Sequence, residues 1–365
     1  MVDRVRVAVL GAASFASVAH IPGVNAHPYG EVVALFSRDL ERAKEMAART
    51  GVPEATDDLE ALLARDDVHA VTVPSSNDNH YTYTMAALRA GKHVFCEKPM
   101  ALNQQQAAEM TREARQRGLV NQIAFIFRYT YCIEEMRRLI STGAIGRPHY
   151  VTVEQQGFSW YRSRGATWRT YAATHGAGHL GEMGSHCFDT VNFTCGPAAG
   201  FIKELAAVTY TVPRTVEGPD GQPQPVETLD LASCLVRTEQ GLQGQIITSR
   251  ATPSHSQLGG LGVIVVAGDE GAVLANLTRG DREILRRMPL GGQWEDAPLP
   301  EAALDGQPHA IYRMMGSFVD SVRRGSVDTE HDADFEAGLR SQAAMDAVIA
   351  GGTSGRWEPV ATFLA

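Results

Sequence analysis

The chain has 365 residues, of which 44% are hydrophobic and 21% are charged, as is usual for soluble globular proteins, and this length favours two domains over one. The formal net charge of −9 argues against nucleic acid or an anionic membrane surface as the main partner. The five cysteines are scattered and form no C-x-x-C pair, which argues against a disulfide framework and a zinc cluster. We therefore expect reduced thiols, a cytoplasmic location and no bound metal.

The first motif is a glycine turn near the N-terminus. A β-rich run, Val5–Leu10, is followed at once by small residues and then by a helical segment. The apolar stretch imitates a signal peptide, but Asp3 and its short, interrupted length favour a buried strand. Strand, turn and helix are typical of a dinucleotide-binding fold, although the fingerprint reads G-x-A-x-x-A rather than G-x-G-x-x-G. Alanine still lets the backbone approach a pyrophosphate at the helix N-terminus. The residues predicted to bind the cofactor here are Gly11, Ala13, Ser14, Phe15 and Ala16.

The second unit bears on the choice of cofactor. Residues 31–36 are predicted to form a strand that ends in Ser37, Arg38 and Asp39, where a dinucleotide fold meets the adenosine ribose. The hydroxyl of Ser37 and the guanidinium of Arg38 suit the 2′-phosphate of NADP. The carboxylate of Asp39 would suit the 2′-hydroxyl of NAD if the register shifts by two. The pattern therefore favours NADP and leaves NAD open.

Strands and helices continue to alternate up to residue 126. Strands are predicted at residues 70–73, 93–96 and 120–125, interleaved with helices at 59–63, 81–90 and 103–117. Such repeated units predict a doubly wound, parallel Rossmann sheet for residues 1–126. Ligands bind at the carboxyl ends of its strands. The residues predicted to bind the cofactor there are Pro74, Ser75, Ser76, Asn77, His80, Glu97, Lys98 and Pro99.

The pattern changes in the second half of the chain. Long predicted strands, joined by short turns, indicate a large, mainly antiparallel sheet. They lie at residues 149–154, 204–212, 229–239, 241–250 and 261–267, and closing helices are predicted at 309–324 and 334–350. We interpret residues 127–365 as an α+β domain for substrate binding and oligomerisation. The fold class predicted for the whole chain is therefore α/β plus α+β.

One stretch is suited to acid–base chemistry. Residues 175–189 read HGAGHLGEMGSHCFD, with Glu182 and His186 four residues apart. On an α-helix that spacing stacks two side chains on one face. A carboxylate there fixes the tautomer of the imidazole and raises its basicity, as a general base near neutral pH requires. An ordinary helix start with a surface Glu–His pair is the alternative interpretation.

The order of these motifs resembles the Gfo/Idh/MocA family, the relatives of glucose–fructose oxidoreductase and inositol dehydrogenase. The resemblance covers nearly the whole chain. It rests on the glycine turn, Pro-x-x-x-x-x-His at 74–80, Glu-Lys-Pro at 97–99, Phe-Arg-Tyr at 127–129, Trp-Arg at 168–169 and the Gly-rich helix start at 176–186. It implies a nicotinamide cofactor, a sugar or cyclic polyol substrate, and a lysine and an Asp-x-x-x-His pair at the reacting carbon. The corresponding residues here are Lys98, Glu182 in place of the Asp, and His186.

Basic and aromatic residues are candidates for the substrate site. Residues 158–171 are rich in tryptophan, tyrosine and arginine, which suit stacking on a sugar face and binding of hydroxyl groups. A loop that packs its rings on the sheet is the alternative, and both roles are compatible. The residues predicted to bind substrate are Lys98, Arg128, Tyr129, Tyr161, Trp168, Arg169, Met183 and His186.

We therefore expect an NAD(P)-dependent dehydrogenase or reductase of a sugar or polyol. In the oxidative direction His186, oriented by Glu182, removes the hydroxyl proton while Lys98 holds the oxygen and hydride leaves the same carbon. Two alternatives stay open: an NAD-dependent glycosidase or lyase that oxidises a sugar transiently, and a non-catalytic sugar or cofactor sensor. The expected partners are the small-molecule substrate and further copies of the chain, in a homodimer or homotetramer.

Overall fold

A computed structural model describes residues 3–157, 165–252, 261–277, 283–301 and 308–361 of the chain. These residues form two compact units. Unit 1 comprises the described residues of 1–126 and 308–339, and unit 2 comprises those of 127–307 and 340–362. The first part of unit 1 ends at residue 126, and its second part, residues 308–339, comes from near the end of the chain.

Unit 1 is built on a six-stranded parallel sheet. Its strands are β1 (Val5–Leu10), β2 (Gly30–Phe36), β3 (Ala55–Thr56), β4 (Ala70–Val73), β5 (His93–Cys96) and β6 (Asn121–Ile123). Their spatial order is β3-β2-β1-β4-β5-β6. The predicted Rossmann sheet is thus confirmed, and the order of the strands reverses between β1 and β4, which is where such sheets bind ligands.

The helices described for unit 1 include α1 (Ile21–Ala26), α2 (Leu40–Thr50), α3 (Leu59–Leu63), α4 (Asn77–Arg89), α5 (Gln104–Arg117) and α9 (Pro308–Arg324). Three of them, α2, α3 and α5, begin at a residue whose side chain accepts a backbone N–H bond. The carboxylates of Asp39 and Asp58 accept backbone N–H bonds at the starts of α2 and α3. Gly51 and Gly118 end α2 and α5 with positive φ.

Two helix starts differ from the sequence prediction. The segment after the glycine turn begins with a π-helical turn, Ala16–His20, before α1. Helix α4 begins at Asn77, four residues earlier than predicted, so His80 lies on its first turn rather than in a loop. The reason is that Ser76 adopts the extended backbone of an N-cap residue.

Helix α9 belongs to unit 1 because its side chains pack on the Rossmann layer. The rings of Phe318 and Phe95 meet edge to face at 5.4 Å. A Cβ atom at Gly23 would lie 2.8 Å from the Cβ of Met315, so α1 and α9 approach more closely than two ordinary side chains permit. The amide of buried Gln122, on β6, donates to Asp332 at 3.0 Å. These contacts join residues 210 or more positions apart in the sequence, which periodicity does not encode.

Unit 2 contains a nine-stranded mixed sheet. Its strands are β7 (Pro148–Gln156), β8 (Ile202–Tyr210), β11 (Leu231–Thr238), β12 (Gln243–Ser249), β13 (Gly262–Gly268), β14 (Gly271–Leu277), β15 (Ile284–Pro289), β16 (Glu295–Asp296) and β17 (Glu358–Pro359). The order β16-β15-β14-β13-β7-β12-β11-β8-β17 is antiparallel except where β7 pairs with β12. The prediction of a mainly antiparallel sheet is confirmed, and β7 interrupts the simple meander.

Helices pack against one face of this sheet, and the other face exposes large apolar side chains. Helices α6 (Tyr131–Ser141) and α8 (Ser185–Ala199) pack against one face. The other face exposes Tyr150, Val208, Tyr210 and Leu235, which the strand register places on the same side. The remaining elements of unit 2 are β9 (Thr215–Glu217), β10 (Pro223–Pro225), α7 (Ala172–His175) and the greater part of α10 (Phe335–Ser354).

Candidate active site

The glycine turn of unit 1 leaves a space that only glycine fits. Gly11 has a φ of +135°, and a Cβ atom there would lie 3.0 Å from the Cα of Ser75. The turn after β1 and the turn after β4 therefore touch each other, so the predicted cofactor-binding residues of both turns lie together. The helical segment that follows begins with Ser14 and Phe15, both exposed. A backbone cradle at a helix N-terminus fits the pyrophosphate of a dinucleotide.

Two arginines, Arg38 and Arg42, follow the end of β2. Arg38 is exposed. Asp39 accepts the backbone N–H of Arg42 at 3.1 Å, so its carboxylate already caps α2. The Nε atom of Arg42 donates to the carbonyl oxygen of Ala12 at 2.9 Å, which brings its side chain to the glycine turn. Sequence reasoning missed Arg42. The signal that could have found it is its position on the first turn of α2, the helix that follows β2.

The Glu-Lys-Pro segment follows β5 and is held by two buried histidines. Oε1 of Glu97 lies 3.1 Å from Nε2 of His20, and its Oε2 accepts the backbone N–H of Lys98 at 3.2 Å. Nδ1 of His80 lies 2.7 Å from the carbonyl oxygen of Pro99, and its Nε2 lies 3.2 Å from that of Ser75. His80 thus ties the turn after β4 to the turn after β5. His20 is a second residue that sequence reasoning did not identify.

The segment that carries Glu182 and His186 changes its helix type between the two residues. Residues Leu180–Gly184 form a π-helical turn, and α8 begins only at Ser185. A π-helical turn bonds residues five apart, whereas an α-helix bonds residues four apart. The start of the turn is fixed by Gly178, where a Cβ atom would lie 2.6 Å from the backbone nitrogen of Leu229.

The carboxylate of Glu182 lies among three basic side chains. Its Oε1 accepts Nε–H of Arg169 at 2.8 Å and lies 3.3 Å from Nε2 of His175, and its Oε2 lies 3.5 Å from Nδ1 of His179. Burial raises the pKa of Glu182, but the bonds from His175 and His179 outweigh it and hold the pKa well below its usual value. Glu182 is therefore an ionised carboxylate at neutral pH.

His186 lies on the first turn of α8 in an aromatic environment. Its side chain is 4% exposed, and its ring meets Phe127 edge to face at 4.8 Å. The neighbouring Tyr129 is buried too, whereas Met183 on the preceding turn is partly exposed. Ser341 donates to the carbonyl oxygen of Ser185 at 2.8 Å, so α10 fixes the start of α8.

Arg128, which is predicted to contact the substrate, is paired with Asp189. Its guanidinium is 7% exposed and forms two parallel bonds with the carboxylate of Asp189, at 2.9 and 2.6 Å. It also lies over the ring of Phe193, 4.7 Å from the centroid. A buried bidentate pair of this kind orients the structure around it. Arg128 therefore positions α8 relative to the short 3-10 turn Ile126–Tyr129, in which it lies.

The tryptophan–arginine motif lies beside the Glu182 cluster. The guanidinium of Arg169 stacks on Trp168 at 4.3 Å from the ring centroid, and Trp168 meets His175 edge to face at 5.1 Å. Arg169 is exposed. Tyr161 lies outside the described residues. Among the residues that are described, no group of histidine, cysteine, aspartate or glutamate has the arrangement of a metal site, and no helix is long and apolar enough to cross a membrane.

Family models match both halves of the chain. Residues 5–125 match a model described as "Oxidoreductase family, NAD-binding Rossmann fold", and residues 133–274 match the "GFO/IDH/MocA C-terminal domain". Together the two matches span more than half of the chain. The first lies in unit 1 and the second in unit 2.

Individual relatives agree with these matches. An uncharacterised oxidoreductase of Synechocystis is 28% identical over 360 residues, which cover 93% of this chain and 92% of that protein. Levoglucosan dehydrogenase of Pseudarthrobacter phenanthrenivorans is 27% identical over 70% of this chain and 66% of its own. A crystal structure of an NAD-binding oxidoreductase from Klebsiella pneumoniae has a TM-score of 0.84 at 27% identity and covers 98% of this chain and 99% of that chain. Levoglucosan dehydrogenase in complex with NADH has a TM-score of 0.88 at 21% identity, which shows the shared fold, over 99% of this chain and 100% of its own.

Proposed function

Because the chain belongs to the Gfo/Idh/MocA family of NAD-binding oxidoreductases, we propose that it transfers a hydride between NADP and a hydroxyl-bearing carbon of a sugar or cyclic polyol. The observation that carries this proposal is the Glu-Lys-Pro segment, whose hydrogen bonds hold Lys98 at the end of β5. The name of the levoglucosan dehydrogenase supports a sugar-like substrate. The nicotinamide cofactor accepts or supplies the hydride when it is bound.

Lys98 and His186 have complementary roles in this proposal. Lys98 donates to the substrate oxygen and stabilises the negative charge that develops there. His186 takes the hydroxyl proton in the oxidative direction and returns it in reduction. The ionised carboxylate of Glu182, bound to Arg169 and close to His175, supplies negative charge near the start of α8 and fixes that region of unit 2.

A substrate screen tests the proposed function. Purified protein is incubated with a panel of sugars and cyclic polyols and with each oxidised cofactor, and formation of reduced cofactor is followed by absorbance. We expect net reduction of cofactor with at least one sugar or polyol. Release of a sugar substituent without net cofactor reduction would contradict the proposal, as would the absence of any turnover in both directions across the panel.

The cofactor preference can be tested at Arg38. We expect Arg38→Ala to weaken NADP binding by about 1–3 kcal/mol, because a charge-assisted contact to the 2′-phosphate is lost, and to leave NAD binding nearly unchanged. Fluorescence titration with both reduced cofactors measures the two affinities. Arg49→Ala, at the exposed far end of α2, is the matched control and should alter neither. If wild-type protein binds NAD more tightly than NADP, Asp39 rather than Arg38 holds the ribose.

The face of the nine-stranded sheet that exposes apolar side chains leads to a prediction about assembly. Val208, Tyr210 and Leu235 expose more than half of their surface on that face, which favours burial against another copy of the chain. We expect a homodimer or homotetramer at micromolar concentration by light scattering. Leu235→Glu should shift the population toward smaller species, because it places a charge in the proposed interface. A wild-type protein with a monomer mass would contradict this prediction.

A further inference from the structure

We infer that His20 is a positioning residue for Lys98 and acts through the carboxylate of Glu97. The inference rests on the proposed function, in which Lys98 holds the substrate oxygen. His20 closes the π-helical turn Ala16–His20, and its side chain is fully buried. It is separated from Glu97 by 77 positions in the sequence, yet the two side chains meet at 3.1 Å.

The two oxygens of Glu97 serve two different partners. One oxygen lies at the ring of His20, and the other accepts the backbone N–H of Lys98 at 3.2 Å. Glu97 is only 6% exposed, so its carboxylate cannot turn toward solvent without breaking these two hydrogen bonds. One rotamer of Glu97 thus fixes the backbone from which the side chain of Lys98 projects.

His20 is itself held against the strand that carries this segment. Its ring meets Phe95, on β5, edge to face at 5.6 Å, and the ring of Phe15 at 6.3 Å on another side. Among the residues that the structure describes, Nδ1 of His20 has no hydrogen-bond partner. The polar contribution of His20 is therefore the single bond from Nε2 to Glu97.

The charge on Glu97 depends on this bond. Burial raises the pKa of Glu97, but the hydrogen bond from His20 and the nearby positive charges outweigh it, and the pKa lies below its usual value. An ionised carboxylate accepts at both oxygens, whereas a protonated one must use an oxygen as a donor. Loss of His20 would leave a buried carboxylate without its hydrogen-bond partner, so Glu97 would take up a proton or rotate. Either event weakens the bond to the Lys98 backbone.

The rest of the segment has an independent support. His80 contacts the carbonyl oxygen of Pro99 and that of Ser75, and it does not depend on Glu97 for these contacts. We therefore expect loss of His20 to displace Lys98 without dismantling the turn. A displacement of about 1 Å at a catalytic group can cost about 10²-fold in rate.

A pair of substitutions at His20 tests the inference. The side-chain amide nitrogen of glutamine reaches the place of Nε2, whereas that of asparagine reaches only the place of Nδ1. We expect His20→Gln to keep kcat within about threefold of wild type and His20→Asn to lower it by about 10–10²-fold, with KM for the sugar and the Kd of reduced cofactor changed by less than about threefold in both. Steady-state kinetics and cofactor fluorescence measure these quantities.

Two further variants separate the possible results. Gln122→Leu removes another buried polar side chain of unit 1, which bonds Ser321 and Asp332, and it should lower the melting temperature without lowering kcat. If Lys98→Ala loses activity while His20→Asn keeps wild-type kcat, the inference about His20 is wrong and the proposed function stands. If Lys98→Ala keeps wild-type activity, the role proposed for Lys98 fails and the inference fails with it. Equal losses of kcat in His20→Gln and His20→Asn, or a cofactor Kd that rises in step with the loss of kcat, would also overturn the inference.

Discussion

Replacing His186 by alanine is expected to lower turnover by about 10²–10⁴-fold and to leave cofactor affinity largely intact, because the loss is confined to general acid–base catalysis. The residue belongs to unit 2, whereas the predicted cofactor-binding residues belong to unit 1. Its ring is packed against Phe127, so alanine leaves a local gap. Single-turnover hydride transfer, followed by cofactor fluorescence, isolates the chemical step from product release.

Glu182→Gln is the companion variant for this experiment. It keeps the shape of the side chain but removes the charge that Arg169 and His175 share, and it should cost less than His186→Ala. If His186→Ala retains hydride transfer near the wild-type rate, the base is another residue. Tyr129, which is buried on the 3-10 turn beside Phe127, and Tyr161 would then be the next candidates.

Replacing Lys98 by alanine is expected to lower turnover by about 10²–10³-fold, because it removes the donor to the developing alkoxide. The effect should not add to that of His186→Ala, since both residues act on the same proton and hydride transfer. A double-mutant cycle on the single-turnover rate measures the coupling. If the free energies of the two single variants simply add, the two residues do not act in one step.

Lys92→Ala is the matched control for removal of a buried lysine. Lys92 lies one residue before β5, and its Nζ donates to the carbonyl oxygen of Arg65 at 2.7 Å. It is thus at the opposite end of the same strand from Glu97 and Lys98. We expect it to lower the melting temperature and to leave the rate of hydride transfer unchanged. A similar loss of rate in Lys92→Ala and Lys98→Ala would mean that the loss reflects stability rather than catalysis.

Much of unit 1 was predictable from the sequence because its elements depend on neighbours in the chain. Helix α3 and strands β4 and β5 have the predicted bounds, since turn residues and apolar runs mark both ends. Asp39 and Gly51 begin and end α2 through short-range capping bonds. The Glu-Lys-Pro segment was placed at a strand end for the same reason, since the preceding run of four residues reads as a buried strand.

The partners of the site residues were decided by the tertiary structure. Local spacing predicts a pair of Glu182 and His186, and the structure adds Arg169, His175 and His179 around the carboxylate of Glu182. The partner of Arg128 could not be read from the sequence either, because its guanidinium bonds Asp189, 61 positions away.

The contacts of His20 and of residues 308–339 were likewise decided by the tertiary structure. The sequence by itself determined where strands end and therefore which loops carry the chemistry, because hydrogen bonds within helices and capping bonds join residues close in the chain. It did not determine that His20 meets Glu97 or that α9 packs on α1, because those contacts join residues 77 and more positions apart. The packing of the whole unit determines which distant segment of the chain covers an apolar face or a buried carboxylate. Only the tertiary structure decides that packing.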